Sequence, residues 1–386
     1  MLVAPIPLSL YVHIPWCVRK CPYCDFNSHE QSGGLPEKGY VASLLFDLES
    51  QIAGIQDRTI ETIFIGGGTP SLFSPDSLEA LLKGIQSRVP VARDAEITME
   101  ANPGTAESGR FSRYREIGLT RLSIGVQSFD PEILTKIGRI HDGQEAIAAA
   151  RMAKSAGFKE FNLDLMFGLP GQTEALALHD IETAIGLEPT HLSFYQLTLE
   201  PNTVFHKYPP ILPNEEDTWS IQELGQSHLR KAGFRQYEVS AYAQEGSRCR
   251  HNLNYWKFGD YLGIGAGAHG KITSLNTGVI KRTQRLKQPL SYMKAAEERH
   301  TLGTESEVTP DEIPFEFLMN GLRLREGFEM SHFKSRTGLE IDRLEPILTT
   351  LLNEQLLERT STHIRCSEHG FNFLDSILQH FLTSPC

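Results

Sequence analysis

The chain has 386 residues, 40% of them hydrophobic, a length that allows two domains or one large domain with an appendage. Its 37 basic and 48 acidic residues give a net charge of −11, which argues against a nucleic-acid or anionic-membrane surface. The N-terminal stretch lacks the charges of a secretory signal, and no apolar run approaches the ~18 residues of a transmembrane helix. Six cysteines, three of them clustered, favour a reducing cytoplasm over a disulfide framework.

A short apolar strand predicted at residues 8–14 leads into a cluster of three cysteines. Cys17, Cys21 and Cys24 have the spacing C-x3-C-x2-C, and no further cysteine occurs before Cys249. The spacing suits neither a zinc finger, which needs four ligands, nor a C-x-x-C redox pair, which needs two. A [4Fe–4S] cluster ordinarily takes one cysteine on each iron, so three cysteines leave one iron open. An open metal position is where a metal site binds a ligand, and the loop therefore predicts such a cluster.

Five further strands alternate with helices after this loop. The strands are predicted at residues 62–65, 95–100, 121–126, 160–166 and 191–198, and the helices at 39–53, 76–87, 107–117, 143–156, 174–186 and 214–231. Asp76 or Ser77 is the candidate cap of the second helix. Short apolar strands between helices predict a parallel α/β sheet covered by helices. Six units suit an open, three-quarter barrel, although a doubly wound sheet would produce much the same pattern.

Polar and glycine residues stand where the predicted strands end. Gly66-Gly67-Gly68-Thr69-Pro70 follows the second strand, and Glu100, Gln127 and Asp164 follow later ones. Active sites of α/β folds lie at this face, so these residues and the cysteine loop should open onto one mouth. Read singly, each polar residue is more typical of a surface or capping position than of a ligand, and the glycines are as consistent with a tight turn as with a ligand contact.

The alternating pattern ends near residue 214. The later elements are a strand at 235–241, a polar surface segment at 275–312, helices from Phe315 on, a hairpin of residues 357–360 and 363–366, and a last helix at 369–382. Helices with a small hairpin predict a winged-helix-like lid or docking domain rather than a DNA-binding one, because the chain is acidic. We therefore divide the chain into a core at 1–240, a connecting segment at 241–310 and a C-terminal domain at 311–386.

Tyr11-Val12-His13-Ile14-Pro15-Trp16 and the three cysteines resemble the radical S-adenosylmethionine (SAM) superfamily, in particular its coproporphyrinogen-dehydrogenase-like branch. In that superfamily the open iron chelates the amino and carboxylate groups of SAM, and the reduced cluster cleaves SAM to a 5′-deoxyadenosyl radical. The resemblance implies a (β/α)6 barrel, a cluster on Cys17, Cys21 and Cys24, and an electron donor. It also implies SAM contacts at matching positions: Tyr11, Tyr23, Gly67, Gly68, Thr69, Glu100, Gln127, Arg139 and Asp164.

A second motif, His251-Asn252-Leu253-Asn254-Tyr255-Trp256, lies outside the six units. Histidine can be an axial haem ligand, and tyrosine and tryptophan can lie flat on a macrocycle. H-N-x-x-Y-W resembles the signature of the HemW-type haem chaperones, relatives of the dehydrogenase. The resemblance implies a haem site at His251, Asn252, Tyr255 and Trp256. Because these residues lie outside the six units, we expect the loss of His251 to leave the cluster and the folding intact, and Cys249 or His269 is the next candidate ligand. A buried capping histidine with core aromatics is the alternative.

Two departures separate the chain from the dehydrogenase. Asp25-Phe26 follows Cys24, where the dehydrogenase loop continues C-x2-C-x-C, and only about seven residues precede the first strand, where the dehydrogenase carries an extension. We therefore predict a chaperone that binds a [4Fe–4S] cluster, SAM and haem, with no catalytic residue assigned. It would pass haem to an acceptor such as a membrane-associated respiratory enzyme. The alternatives are oxygen-independent coproporphyrinogen III oxidation and a structural iron–sulfur protein without SAM.

Overall fold

The computed structural model describes residues 6–31, 33–104 and 109–382. Its strands are β1 (Leu8–Ile14), β2 (Trp16–Cys17), β3 (His29–Glu30), β4 (Ile60–Gly67), β5 (Val91–Ala101), β6 (Arg121–Gln127), β7 (Glu160–Phe167), β8 (His191–Gln196), β9 (Arg235–Gln236), β10 (Ala241–Ala243), β11 (Asp260–Ile264), β12 (His269–Thr273), β13 (Ile280–Arg285), β14 (Gly303–Glu307), β15 (Phe328–Glu329), β16 (Leu357–Arg359) and β17 (His363–Cys366). Its α-helices are α1 (Glu37–Ile55), α2 (Pro75–Gln86), α3 (Phe111–Glu116), α4 (Pro131–Lys136), α5 (Gly143–Ser155), α6 (Glu174–Gly186), α7 (Val204–Lys207), α8 (Glu215–Lys231), α9 (Arg250–Trp256), α10 (Pro289–Glu297), α11 (Ile313–Gly321), α12 (Met330–Thr337), α13 (Ile347–Asn353) and α14 (Leu374–Gln379). Short 3-10 helices lie at Pro70–Leu72, Ile341–Leu344 and Gly370–Phe373.

A mixed sheet of twelve strands organises the molecule, in the order β14-β13-β12-β11-β1-β4-β5-β6-β7-β8-β10-β9. The six predicted strands β1, β4, β5, β6, β7 and β8 are neighbours in chain order and run parallel. A doubly wound sheet reverses its strand order at a switch point, whereas here each strand adds on the same side of the one before it, as in a barrel. This order confirms the predicted three-quarter barrel.

Alternation along β1 explains how one strand serves both the core and the site. Leu8, Leu10, Val12 and Ile14 are buried in the apolar core that the sheet shares with its covering helices. Successive side chains of a strand point to opposite faces, so Ser9, Tyr11 and His13 lie on the other face of the sheet. The carboxyl end of β1 then leads directly into the cysteine loop.

The largest difference from the predicted fold is β11, which lies parallel to β1 on the side away from β4. The antiparallel strands β12, β13 and β14 continue the sheet beyond it. Segment 275–312 was predicted as polar surface, and it instead contributes β13, β14 and α10 to the fold, with Ile280 and Tyr292 fully buried. β11 was not predicted because it begins with a charged residue, Asp260, which is buried in the structure.

Three local predictions were wrong. Ser74, not Asp76 or Ser77, caps α2, because Pro75 takes the first helical position and the Ser74 hydroxyl accepts the Ser77 N–H. Residues 235–241 form no single strand, since β9 and β10 fold back on each other as an antiparallel pair. The helix predicted at 107–117 begins at Phe111, and residues 107–108 lie outside the described residues.

The C-terminal part is mostly helical and carries the predicted hairpin, since β16 and β17 pair antiparallel and β15 adds to β17. Its apolar core, which includes Phe317 and Phe333, also takes in Phe258 and Ile280 from the neighbourhood of β11 and β13. The C-terminal part is therefore packed against the edge of the large sheet, while the division at residues 240 and 310 stays a prediction. Among the described helices, none has the length and apolar character to cross a membrane.

Candidate functional site

The cysteine loop leaves the sheet at the end of β1 and is closed by a small parallel pairing between β2 and β3. Inside the loop, the Cys24 N–H donates to the Cys21 carbonyl at 3.1 Å. The Lys20 ammonium donates to the carbonyl oxygens of Phe26 and Ser28. All three cysteines are free thiols and half-buried, so the loop presents sulfur atoms on a braced backbone.

The three thiols fit an iron–sulfur cluster. They line one cavity of about 150 Å³. Burial and the neighbouring thiols of Cys24 and Cys21 raise the pKa of Cys17 to about 11, and burial raises the pKa of Cys24. A positively charged iron centre would favour the thiolate forms of both. Within the described residues, no three cysteine, histidine or acidic side chains converge on a point suited to a single metal ion. A cube needs no such convergence, because each cysteine binds a different iron.

The same cavity brings together eight of the nine predicted SAM residues: Tyr23, Gly67, Gly68, Thr69, Glu100, Gln127, Arg139 and Asp164. Most of them come from the ends of different parallel strands and the turns after them, as expected for the mouth of a barrel. Tyr23 belongs to the cysteine loop, and Arg139 follows α4. Tyr11 lies in an adjoining, larger cavity instead. The assignment of each residue to SAM stays a prediction.

Two half-buried carboxyl groups, those of Glu100 and Asp164, make one wall of this cavity attractive to a cation. Glu100 accepts the Gly67 N–H at 3.0 Å, and burial, with the nearby charge of Asp164, raises the pKa of Glu100 to about 8. Asp164 accepts hydrogen bonds from Ser123 and Asn162, and burial raises its pKa as well. Bringing an ammonium group beside these carboxyl groups would favour their charged forms.

Arg139 brings the opposite charge to the same cavity. Its Nη2 donates to Asn102 Oδ1 and to the Gly125 carbonyl, and its Nη1 approaches the Cys21 sulfur at 3.6 Å. Within the described part of the chain, Arg139 forms no salt bridge, and its buried Nε has no hydrogen-bond partner. A guanidinium without a carboxylate partner beside the cysteine loop fits the carboxylate of SAM.

A second cavity of about 1100 Å³ adjoins the first and shares Cys24, Phe26, Ser28, Gly67 and Glu100 with it as common wall. One side is the polar face of β1, β11, β12 and β13, on which Tyr11, His13, Tyr261, His269, Lys271 and Arg282 lie. Helix α9 contributes Tyr255 and Trp256, and α11 of the C-terminal part contributes Glu316, Met319 and Asn320. The volume exceeds the roughly 300–1,000 Å³ of most small-molecule sites.

The H-N-x-x-Y-W motif forms α9, and only part of it reaches this cavity. Tyr255 and Trp256 line the cavity, whereas His251 and Asn252 do not. His251 is fully buried, its Nδ1 hydrogen-bonded to Thr62 Oγ1 and its Nε2 to the Tyr255 hydroxyl, both at 2.8 Å. Burial also lowers the pKa of His251 to about 3, so the ring is neutral. The ring packs on β4, so the motif is not independent of the barrel as we expected.

Comparison with known proteins agrees with this architecture. Residues 11–184 match the sequence profile of the Radical SAM superfamily, and residues 308–373 match the HemN C-terminal domain. The chain is 50% identical to the haem chaperone HemW of Escherichia coli, over 97% of this chain and 98% of that protein. The chain belongs to the HemW family. The HemW of Haemophilus influenzae is 48% identical, over 98% of each chain, and that of Bacillus subtilis 36%, over 94% and 96%.

This HemW-family fold is shared with a solved enzyme structure. Coproporphyrinogen III oxidase (HemN) from Escherichia coli superimposes with a TM-score of 0.81, over 97% of this chain and 90% of that chain. The two sequences are 24% identical, so the likeness concerns the fold. Barrel and C-terminal part thus have the same overall arrangement in both proteins.

Sequence reasoning missed several residues of the site in this HemW-family chain. Asn102 and Tyr195 line the cysteine cavity, and the Tyr195 hydroxyl donates to Gln127 Oε1 at 2.8 Å. Both stand at the ends of parallel strands, which is the signal that could have found them. Lys287 lines the large cavity, and no local pattern in the sequence marks it. His269, which the sequence offered only as an alternative haem ligand, lines the same cavity at the start of β12.

Proposed function

We propose that this protein is a haem chaperone, which binds haem in the large cavity and hands it to an acceptor protein. The observation that carries the proposal is the 50% identity, over nearly the whole of both chains, to a protein named haem chaperone HemW. The acceptor proposed from the family resemblance is a membrane-associated respiratory enzyme. A cytoplasmic location suits the free thiols of the loop, which must stay reduced to bind iron.

The cysteine cavity would hold the cofactors of the family. Cys17, Cys21 and Cys24 would bind three irons of a [4Fe–4S] cluster, which supplies an electron to SAM when reduced by a donor protein. Arg139 is the partner proposed for the SAM carboxylate, and Glu100 and Asp164 for its amino group and ribose hydroxyls. The wall shared by the two cavities would put haem and SAM side by side.

The large cavity has the chemistry that haem requires. Aromatic rings of Tyr11, Tyr255, Trp256 and Tyr261 offer flat apolar surface to a macrocycle. Phe26, 58% exposed, adds an apolar side chain where the dehydrogenase of the same branch has a cysteine-containing loop. Basic side chains at the rim would meet the carboxylates of the haem propionates.

The decisive experiment offers the reconstituted protein haem and coproporphyrinogen III in separate assays. We expect saturable haem binding, followed by absorbance, and no conversion of coproporphyrinogen III in the presence of SAM and a reductant. Conversion of coproporphyrinogen III without haem binding would contradict the chaperone function and indicate a coproporphyrinogen oxidase instead.

The cluster is tested by its content. Anaerobic reconstitution should give about four iron and four sulfide per chain, and alanine at Cys17, Cys21 or Cys24 should abolish this. Cys249→Ala and Cys366→Ala are matched controls, because both of these thiols are free and buried away from the loop. Loss of the cluster in Cys249→Ala would contradict the three-cysteine site.

A further inference from the structure

The large cavity contains a histidine whose ring has no hydrogen-bond partner among the described residues. Three imidazoles line the cavity. His13 uses both ring nitrogens, with the Tyr11 hydroxyl and the Asn27 carbonyl, and His29 uses one, with Asn27 Oδ1. His269 uses neither, and it is exposed to the cavity. His251 is fully buried with both nitrogens bonded, so it offers no nitrogen to an iron atom in this conformation.

The strand pairing aims His269 at the cavity. His269 begins β12 and pairs with Gln284 of β13, and side chains two residues apart on a strand share a face. Lys271 and Arg282, the next pair on that face, also line the cavity. Partial burial of the ring, followed by the charges of Lys287 and Arg282, lowers the pKa of His269, which favours the neutral imidazole that metals bind.

Lys287 is a free cation beside His269. The other basic groups that line the cavity already have partners. Lys271 pairs with Asp260 and Arg282 with Glu316, and the Lys20 ammonium donates to two backbone carbonyls. Within the described residues, the Lys287 ammonium has neither a salt bridge nor a hydrogen bond, and the side chain is exposed on the cavity rim. A ligand with an iron centre and peripheral carboxylates would satisfy both unpartnered groups at once.

We propose that His269 is the axial ligand of the haem iron and that Lys287 contacts a haem propionate. This inference rests on the proposed haem-binding function and replaces His251 as ligand. His251 becomes a positioning residue: its hydrogen bond to the Tyr255 hydroxyl, one turn along α9, holds that ring in the cavity wall.

The test is a titration of ferric haem into the reconstituted full-length protein and its variants, followed by absorbance and EPR. We expect His269→Ala to shift the Soret band and to weaken binding by about tenfold or more. Added imidazole should return its spectrum towards that of the wild type, because it replaces the missing ligand. His300→Ala, which removes an exposed imidazole outside the cavity, is the matched control and should keep the wild-type spectrum.

Lys287→Ala should weaken binding without changing the spectrum, whereas Lys294→Ala, on the exposed face of α10, should do neither. A wild-type spectrum and affinity in His269→Ala would overturn the inference. So would a lost axial ligand in His251→Ala together with an unchanged ligand in His269→Ala. Failure of the wild-type protein to bind haem at all would instead overturn the proposed function, so the two failures are distinguishable.

Discussion

His251 illustrates how burial decides what a histidine can do. Its ring links Thr62 of β4 to Tyr255 of α9, and Thr62 in turn bonds Ser9 of β1. Loss of the ring leaves the buried Tyr255 hydroxyl without this partner, at a cost of roughly 1–3 kcal/mol, and opens a cavity in the core. We therefore expect His251→Ala to lower the free energy of unfolding by about 2–4 kcal/mol in a urea titration.

This expectation reverses the one drawn from sequence, in which folding was unaffected by the loss of His251. His269→Ala is the control, because His269 is exposed and makes no side-chain hydrogen bond within the described residues. Equal unfolding midpoints for the two variants would restore the sequence-based expectation.

Glu100 should make the stability of the cluster-free protein depend on pH. Its pKa is raised to about 8 by burial and by Asp164, so the folded protein retains a proton that the unfolded chain releases near pH 4.5. The stabilisation is therefore complete below about pH 4.5 and is lost as pH rises through 8. The amide of Glu100→Gln stays neutral at every pH. We therefore expect the free energy of unfolding of this variant to exceed that of the wild type by roughly 2–4 kcal/mol at pH 8 and by little at pH 5.

The measurement is urea unfolding of the cluster-free protein at both pH values. Glu61→Gln, the same exchange at an exposed position of β4, should leave the difference between the two pH values unchanged. If the free energy of unfolding changes equally with pH in the wild type and in Glu100→Gln, then Glu100 is not the source of the pH dependence.

The turn after β4 and the cysteine loop after β1 are held together as one unit. Gly68 N–H donates to the Ile14 carbonyl and Thr69 N–H to the Trp16 carbonyl, both at 2.8 Å. A Cβ on Gly68 would lie 2.6 Å from the Trp16 carbonyl oxygen, a backbone atom next to Cys17. Gly68→Ala must therefore displace the loop, and we expect less iron and sulfide per chain after reconstitution.

Gly186→Ala is the control for this variant, since a Cβ there meets no atom within 4 Å. It should take up as much iron as the wild type. Full cluster content in Gly68→Ala would show that the loop adapts without losing its metal-binding geometry.

At the level of the whole molecule, Arg282 joins the sheet to the C-terminal part. On β13 it donates to the Tyr261 hydroxyl of β11 and forms a salt bridge with Glu316 of α11. These hydrogen bonds involve charged and half-buried groups, each worth roughly 1.5–3 kcal/mol. We expect Arg282→Gln to lower the free energy of unfolding by about 1–3 kcal/mol.

Lys281→Gln is the matched change one residue away, where Lys281 pairs with Glu305 at the surface. An exposed ion pair contributes roughly 0–1 kcal/mol, so the midpoint of its unfolding curve should barely move. Equal effects of the two variants would mean that the contact across the interface adds no stability.

The amino-acid sequence by itself determined the repeating part of the molecule. Alternation of apolar strands and amphipathic helices is a local signal, so all six parallel strands were predicted at their places between residues 8 and 198. The cysteine spacing and the polar residues at strand ends are also local, and the barrel then brings eight of nine predicted SAM positions to one cavity.

Only the tertiary structure decided how the later part of the chain completes the site. β11 contains a charged residue, Asp260, which is buried because it forms salt bridges with Arg58 from a distant segment and with Lys271 of the neighbouring strand β12. Likewise, whether a histidine in α9 or in β12 faces the large cavity depends on which strand each packs against. Such long-range pairing leaves no period in the sequence, so the cavity between barrel and C-terminal part, and the position of His269 on its wall, became visible only in the fold.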